Sequence, residues 1–113
     1  ALLIDRGDLS REVPIVKIPF LQRRIVSSVK SRDKPIYVAT NFLESMIEYH
    51  QPNRAEVNDV ISTLEMGATG LILAAETAIG GHPIASVRTI RRLIENFERW
   101  TPNTSFEELL SAN

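Results

Sequence analysis

The chain has 113 residues, of which 43% are hydrophobic and 24% are charged, and its formal net charge is −1. This balance is typical of one soluble globular domain, and it gives no long-range field that would attract nucleic acid or an anionic membrane. The chain has no cysteine, which excludes disulfides and thiolate chemistry, and no apolar run reaches the roughly 18 residues of a membrane span. We therefore expect a cytoplasmic setting.

The first half of the chain alternates between short predicted strands and helices. Residues 1–4 form an apolar run too short for a helix, which predicts a buried strand, and residues 5–14 predict a polar turn. Apolar residues at helical spacing predict an amphipathic helix over about 15–31. A second strand is expected over 36–39, followed by one or two helical turns over 42–49.

The second half has clearer helix boundaries. Asn53 and Glu56 are spaced as a capping box, which predicts a helix that ends at Gly67. A third strand is expected over 70–75. Pro83 suits the first turn of a further helix that ends near residue 100 and is followed by a weakly amphipathic tail.

The predicted strands begin near residues 2, 36 and 71, a spacing of about 35 residues, with a helix between each pair. The expected fold class is therefore α/β, with three consecutive βα units whose strands are parallel. This pattern leaves both a doubly wound sheet and a (β/α) barrel open. In both folds ligands bind at the carboxyl ends of strands, so we expect residues 5–8, 40–41 and 76–77 to line one face of a site.

The sequence of Arg6, Gly7 and Asp8 has two interpretations that the residues alone leave open. In the first, Gly7 adopts a backbone conformation that other residues avoid and Asp8 caps the next helical turn. In the second, Asp8 holds a divalent cation such as Mg²⁺ and the amides after Gly7 bind an anion.

The other polar residues at predicted strand ends are also open to two interpretations. Thr40 either donates its hydroxyl to a ligand oxygen or satisfies its own backbone. Glu76 is a candidate base, a partner of a catalytic group or a structural residue, and the structural role is favoured. His50 and His82 lie far apart in the sequence with no carboxylate pattern around them, so no zinc site is predicted.

Four groups of short motifs follow one another along the chain: Arg6-Gly7-Asp8-Leu9 with Glu12-Val13-Pro14, Ala39-Thr40 with Leu43-Glu44-Ser45-Met46-Ile47, Arg54-Ala55-Glu56 with Asp59-Val60, and Glu76-Thr77-Ala78 before Gly80. In order and spacing, this specific combination resembles successive motifs of the pyruvate kinase family. The resemblance implies the last three βα units of a (β/α)8 TIM barrel. It also implies a complete enzyme that transfers a phosphoryl group between phosphoenolpyruvate and ADP with Mg²⁺ and K⁺.

The resemblance also implies roles for individual residues. Asp8 matches the Mg²⁺-binding aspartate, the backbone around Gly7 and Asp8 matches amides that receive the substrate carboxylate, and Thr40 matches a threonine beside the substrate. The implied ligand is phosphoenolpyruvate or a pyruvate-like small molecule. The family's other metal-binding carboxylate, its catalytic lysine and its K⁺ ligands belong to earlier strands that this sequence lacks. We therefore name no catalytic residue and expect the chain alone to be inactive.

The sequence departs from the family's pattern at several positions. Ser10 and Arg11 replace a glycine and a small or apolar residue, and Asn41 replaces a glutamine. Ala74-Ala75 replaces Ser-Gly and Ile79 replaces a common lysine, both on the side where the nucleotide would lie. These changes motivate an alternative function, a non-catalytic scaffold or a module that senses a small carboxylate.

The organisation of the chain suggests a partial barrel. We expect residues 1–100 to form three βα units and residues 101–113 to form a carboxyl-terminal tail or short helix. The chain begins inside an apolar strand without an initiator methionine, so we expect a piece of something longer. Three parallel strands would leave unpaired edges and apolar surface, which predicts a homo-oligomer or a longer parent chain.

Overall fold

The computed structural model describes residues 2–39 and 42–111. Within these ranges the chain forms three strands: β1 (Leu2–Asp5), β2 (Ile36–Ala39) and β3 (Gly70–Ile72). The helices of the same ranges are α1 (Arg6–Glu12), α2 (Ile18–Lys30), α3 (Arg54–Met66), α4 (Ala75–Ala78), α5 (Pro83–Arg99) and α6 (Phe106–Ser111). Two short 3₁₀ helices cover Ile15–Lys17 and Glu44–Ile47. None of the helices in the described part of the chain has the length and apolar character needed to cross a bilayer.

The three strands form one parallel sheet in the order β1-β2-β3. Each strand is followed by a helix that packs on the sheet, which is the βα repeat that the strand spacing predicted. The predicted α/β class with three parallel strands is therefore confirmed. The third strand is shorter than expected and ends at Ile72, because the chain enters α4 only three residues later.

The two faces of the sheet have different environments. Ile4, Ile36 and Val38 point to one side, where they are buried with apolar residues of the helices and of the segment after β2. Neighbouring residues in the parallel register place Leu3, Tyr37 and Ile72 on the other side. These three are 53%, 37% and 42% exposed, and we call them the uncovered face. One side of the sheet thus packs in the hydrophobic core, and the other side exposes apolar side chains to solvent.

The predicted polar turn over residues 5–14 is wrong, because most of this stretch is helix α1. The side chain of Asp5 caps the helix by accepting a hydrogen bond from the amide of Asp8 at 3.2 Å. Gly7 lies within the helix, and Gly67 is the glycine with a positive φ in the described residues. The expectation that Gly7 has a special conformation and that Asp8 is the cap is therefore corrected: the cap is Asp5.

Helix α3 begins and ends as its sequence predicts. The Asn53 side chain accepts from the amide of Glu56 at 2.8 Å, and the Glu56 carboxylate accepts from the amide of Asn53 at 3.0 Å. This reciprocal capping box satisfies two backbone donors that the first turn of a helix leaves free. At the other end, Gly67 has a φ of 111° and its amide donates to the carbonyl of Leu64 at 3.0 Å.

The left-handed conformation of Gly67 predicts a cost for any side chain at that position. We expect Gly67→Ala to lower the free energy of unfolding by about 1 kcal/mol, because a Cβ is strained in the left-handed region. The change is measured as a shift in the urea midpoint at one fixed protein concentration. Gly81→Ala is the matched control, since its added Cβ would meet the Ile47 carbonyl oxygen at an ordinary 3.4 Å. Equal losses in the two variants would contradict this explanation.

Candidate functional site

The candidate site begins at the carboxyl end of β1, where Gly7 and Asp8 lie in the first turns of α1. The Asp8 carboxylate is exposed and accepts from Nη1 of Arg11 at 3.1 Å. Its amide donates to the Asp5 side chain at 3.2 Å. The structure therefore places the first pair of predicted site residues at a strand end. Thr40, the third predicted site residue, and its neighbour Asn41 lie outside the described residues.

Ser10 and Arg11, which follow this pair on α1, contact it directly. The Ser10 hydroxyl donates to the carbonyl of Gly7 at 2.7 Å, and Arg11 forms the ion pair with Asp8. Both side chains of the ion pair are largely exposed, so it contributes no more than about 1 kcal/mol to stability. The carboxylate of Asp8 is thus held loosely, by a cation that the chain itself supplies.

A second feature of the site is the segment over residues 42–48, which follows β2 and which we call the connecting segment. Its residues Phe42, Leu43 and Met46 are fully buried in the core. Three charged side chains from α1, α3 and α4 hold the connecting segment or pack against it.

Arg6, the first residue of α1, binds Asp59 on α3. Its Nη1 atom lies 2.7 and 2.9 Å from the two carboxylate oxygens of Asp59. The guanidinium group also lies over the ring of Phe42, 4.1 Å from the ring centroid. The Arg6 side chain is 16% exposed and that of Asp59 is 36% exposed, so the ion pair is only partly shielded from the solvent screening that weakens fully exposed pairs. Arg6 thereby joins the end of β1 to α3 and to the connecting segment.

Glu76 in α4 joins the region after β3 to the connecting segment. Its side chain is fully buried, and its two carboxylate oxygens accept from the amides of Leu43 and Ala74, each at 3.1 Å. A buried carboxylate is stable only when donors satisfy it, and here backbone amides do so. The contacts support the structural role of Glu76 that the sequence favoured.

Glu56 has a second role besides the capping box. Its carboxylate accepts from the amide of Ser45 at 2.7 Å and from the Ser45 hydroxyl. The same side chain thus caps α3 and fixes the 3₁₀ helix of the connecting segment. Sequence reasoning found the cap but missed Ser45, and it assigned no role to Arg6 or Asp59.

The described residues supply only part of a metal site. Within residues 2–39 and 42–111, no three His, Asp or Glu side chains are grouped so that they could hold a metal ion. Mg²⁺ prefers an octahedral shell of oxygen ligands. Asp8 could provide one of them, and the chain's described part does not fit a complete Mg²⁺ site.

Comparison with known proteins decides the family. The family model described as the barrel domain of pyruvate kinase matches residues 1–87. The chain belongs to the pyruvate kinase family. It is 43% identical over 94 residues to the pyruvate kinase of Mycobacterium tuberculosis, a match that covers 83% of this chain and 20% of the relative. It is 41% identical over 98 residues to the pyruvate kinase of Thermotoga maritima, covering 87% of this chain and 21% of the relative.

Solved structures agree with this assignment. A crystal structure of a pyruvate kinase from Cryptosporidium parvum matches with a TM-score of 0.85 and 35% identity, covering 88% of this chain and 20% of that chain. The chain therefore spans about a fifth of the length of the pyruvate kinases it matches. The resemblance seen in the sequence is confirmed, and several residues of the pyruvate kinase motifs, such as Arg6 and Glu76, make the contacts around the connecting segment.

The contacts of Glu76 predict a large effect from a small substitution. Glu76→Gln keeps the shape but replaces one acceptor oxygen with an NH₂ group that faces a backbone donor. We expect a loss of about 1–3 kcal/mol of stability, the cost of a buried unsatisfied hydrogen-bonding group. Urea unfolding measures the loss, and hydrogen exchange should accelerate at the amides of Leu43 and Ala74. Glu44→Gln, an exposed carboxylate of the connecting segment, is the control and should change neither quantity.

Proposed function

We propose that this chain is part of a pyruvate kinase barrel whose complete form transfers a phosphoryl group between phosphoenolpyruvate and ADP, and that the chain alone is inactive. The observation that carries the proposal is the position of Gly7 and Asp8 at the carboxyl end of a parallel strand in a chain of this family. This end of the sheet is where parallel α/β proteins bind their ligands. The proposed setting is the cytoplasm.

The proposed roles follow the positions of the residues. The backbone around Gly7 and Asp8 receives the substrate carboxylate, and the Asp8 carboxylate is one ligand of Mg²⁺. Thr40 lies beside the substrate. When bound, the metal would neutralise charge on the transferring phosphoryl group. The amide of Asp8 donates to Asp5 over a long 3.2 Å, so a substrate carboxylate has a weak internal competitor. K⁺ ligands and the remaining Mg²⁺ ligands are assigned to other parts of the complete protein.

We also propose a boundary near residue 100, with residues 1–100 in the barrel and residues 101–113 outside it. Helix α5 ends at Arg99, and a turn separates it from α6. The apolar side chains of Phe106 and Leu110 on α6 are 84% and 86% exposed, so this short helix contributes little to the core.

The uncovered face supports the proposal that the described chain needs further strands or a partner copy. Its apolar side chains are exposed to solvent, and the outer edges of β1 and β3 have no neighbouring strand among the described residues. Such edges and faces favour association. The expected partner is another part of a pyruvate kinase barrel or a second copy of this chain.

Sedimentation velocity tests this association. The unmodified chain should sediment as an assembly larger than 12.7 kDa. Leu3→Lys or Ile72→Lys should shift it toward the monomer, because each places a charge on the uncovered face. Ile15→Lys is the control, since Ile15 is 77% exposed on a 3₁₀ helix away from the sheet. A stable, cooperatively folding monomer of the unmodified chain would count against the proposal.

A second candidate function is a non-catalytic scaffold or a module that senses a small carboxylate. One observation favours it: Ser10 and Arg11 depart from the family's pattern, and both bond to the residues proposed to bind substrate and metal. An arginine beside Asp8 places a positive charge where the catalytic proposal requires a cation. Ala74, Ala75 and Ile79 also differ from the residues expected from the family resemblance, at positions where the nucleotide would lie.

A chimera distinguishes the two functions. Residues of this chain replace the matching segment of the Mycobacterium tuberculosis pyruvate kinase, to which they are 43% identical. The catalytic proposal predicts phosphoenolpyruvate- and ADP-dependent turnover, with kcat lowered about 100-fold or more by Asp8→Asn because a metal ligand is lost. Asp33→Asn, at an exposed turn that tolerates Asn, is the control.

Each outcome of this assay points to one function. A chimera that folds and assembles like its parent but shows no turnover favours the non-catalytic module. Turnover by the 113-residue chain alone would overturn the proposed inactivity.

A further inference from the structure

A cavity of about 870 Å³ lies between the start of α3, the loop before it and α5, which lines it from Pro83 to Asn96. This volume is within the range of small-molecule binding sites. Its lining includes none of Gly7, Asp8 and the other residues that contact Asp8. The cavity is therefore separate from the site at the carboxyl end of β1.

The polar lining of the cavity is basic. Arg88 and Arg92 line it from α5, and His50 and His82 line it from the loops, while none of the lining residues is Asp or Glu. Arg88 and Arg92 are four residues apart, which places them on the same side of the helix. In a chain with 14 acidic residues and a net charge of −1, a cavity without a single carboxylate is a local departure from the overall balance.

The two arginines differ from their neighbour Arg91. Nε of Arg91 lies 3.4 Å from a carboxylate oxygen of Glu95, so an acidic side chain balances its charge. No ion pair within residues 2–39 and 42–111 includes Arg88 or Arg92. Both residues are exposed, so their guanidinium groups are accessible and no carboxylate of the described residues offsets their charge.

The histidines, the two that the chain contains, converge in the cavity. The ring centroids of His50 and His82 are 3.9 Å apart, although the residues are far apart in the sequence. Nε2 of His82 lies 3.3 Å from the carbonyl oxygen of Glu48. The pair therefore adds imidazole N–H groups to the basic lining of the cavity.

The start of α5 adds to the positive electrostatic potential of the cavity. The first turn of this 17-residue helix has no acidic residue and no side-chain cap. Pro83 has no N–H, and the Ser86 amide donates to the carbonyl of His82 at 3.0 Å. The amides of Ile84 and Ala85 are therefore the ones that present partial positive charge near the cavity. Val57, Ile84 and Leu93 provide apolar lining beside the basic groups, which suits an organic body attached to an anion.

We propose that the cavity between α3 and α5 binds a phosphate-bearing small molecule, with Arg88 and Arg92 contacting the phosphate. Arginine suits this role because its planar group can donate two parallel hydrogen bonds to phosphate oxygens. The apolar lining contacts the rest of the molecule. This site is independent of phosphoryl transfer at the carboxyl end of β1.

Because both histidines lie in this cavity, their ring signals in ¹H–¹³C NMR spectra of the labelled chain report on it. The probes are inorganic phosphate and phenyl phosphate, added at fixed pH and at an ionic strength held constant with sodium chloride. Both probes should shift the His50 and His82 signals saturably, with tighter binding of phenyl phosphate because its ring can contact the apolar lining. In the Arg88→Gln/Arg92→Gln variant the apparent Kd should rise at least about fivefold, because charge-assisted hydrogen bonds are lost.

Arg91→Gln is the matched control, since it removes one arginine of the same helix that does not line the cavity. Its apparent Kd should change by less than about twofold, as expected for an exposed charge outside the site. Histidine signals that shift linearly without saturation, or equal weakening in the two variants, would overturn the proposal. Calorimetric titration of the same three proteins gives an independent Kd that must show the same order.

Discussion

The hydrogen bonds of the buried Glu76 carboxylate are the interaction on which the carboxyl end of this sheet depends. Parallel strands cannot be joined by hairpins, so the chain must leave the sheet after each strand and return through a helix. The exits from neighbouring strands are then held in place by side chains. Glu76 joins the exit of β3 to the amide of Leu43, four residues after the end of β2. Without this acceptor, a buried backbone donor would lose its partner.

The charged contacts around the connecting segment form a connected set rather than isolated pairs. Arg6 links the exit of β1 to Asp59 and Phe42, and Glu56 links the start of α3 to Ser45. The ends of β1 and β3 are therefore attached to the connecting segment that follows β2, whose apolar side chains are buried. Rigid attachment of this kind is what a binding site built from several loops requires, because small displacements of its groups reduce binding and catalysis.

The sequence allowed a good prediction of the elements that local pattern determines. Strands and helices that bury one side have apolar residues at a regular spacing, which the sequence shows directly. The capping box joins Asn53 to Glu56, only three residues later, so it is also visible in the local sequence. The Arg6–Asp59 and Leu43–Glu76 contacts join residues 53 and 33 positions apart, and no local pattern encodes them. Helix α1 was missed because its sequence combines a glycine with charged residues, which favours a turn by propensity, whereas the Asp5 cap stabilises the helix.

Prediction of the site was limited for the same reason: contacts between residues far apart in the sequence leave no local pattern. The pattern placed Gly7 and Asp8 at a strand end, and their proposed ligands come from the family resemblance. The sequence pattern gave no indication that the rings of His50 and His82 are in contact, because the geometry of the loops brings the two histidines together. It also did not indicate that they lie beside Arg88 and Arg92, which form no ion pair among the described residues.

The acidic residues at the strand exits separate into two groups by burial. Glu76 and Glu56 have their oxygens occupied by backbone amides that the fold must satisfy, so neither is available to a ligand without a cost in stability. Asp8 is exposed, and its partner is the exposed side chain of Arg11. An ion pair between two exposed side chains adds little to stability. A ligand can displace such a partner cheaply. Of these three carboxylates, Asp8 is the one that could bind a cation at the least cost to the fold, which agrees with the metal-ligand role proposed for it from the family resemblance.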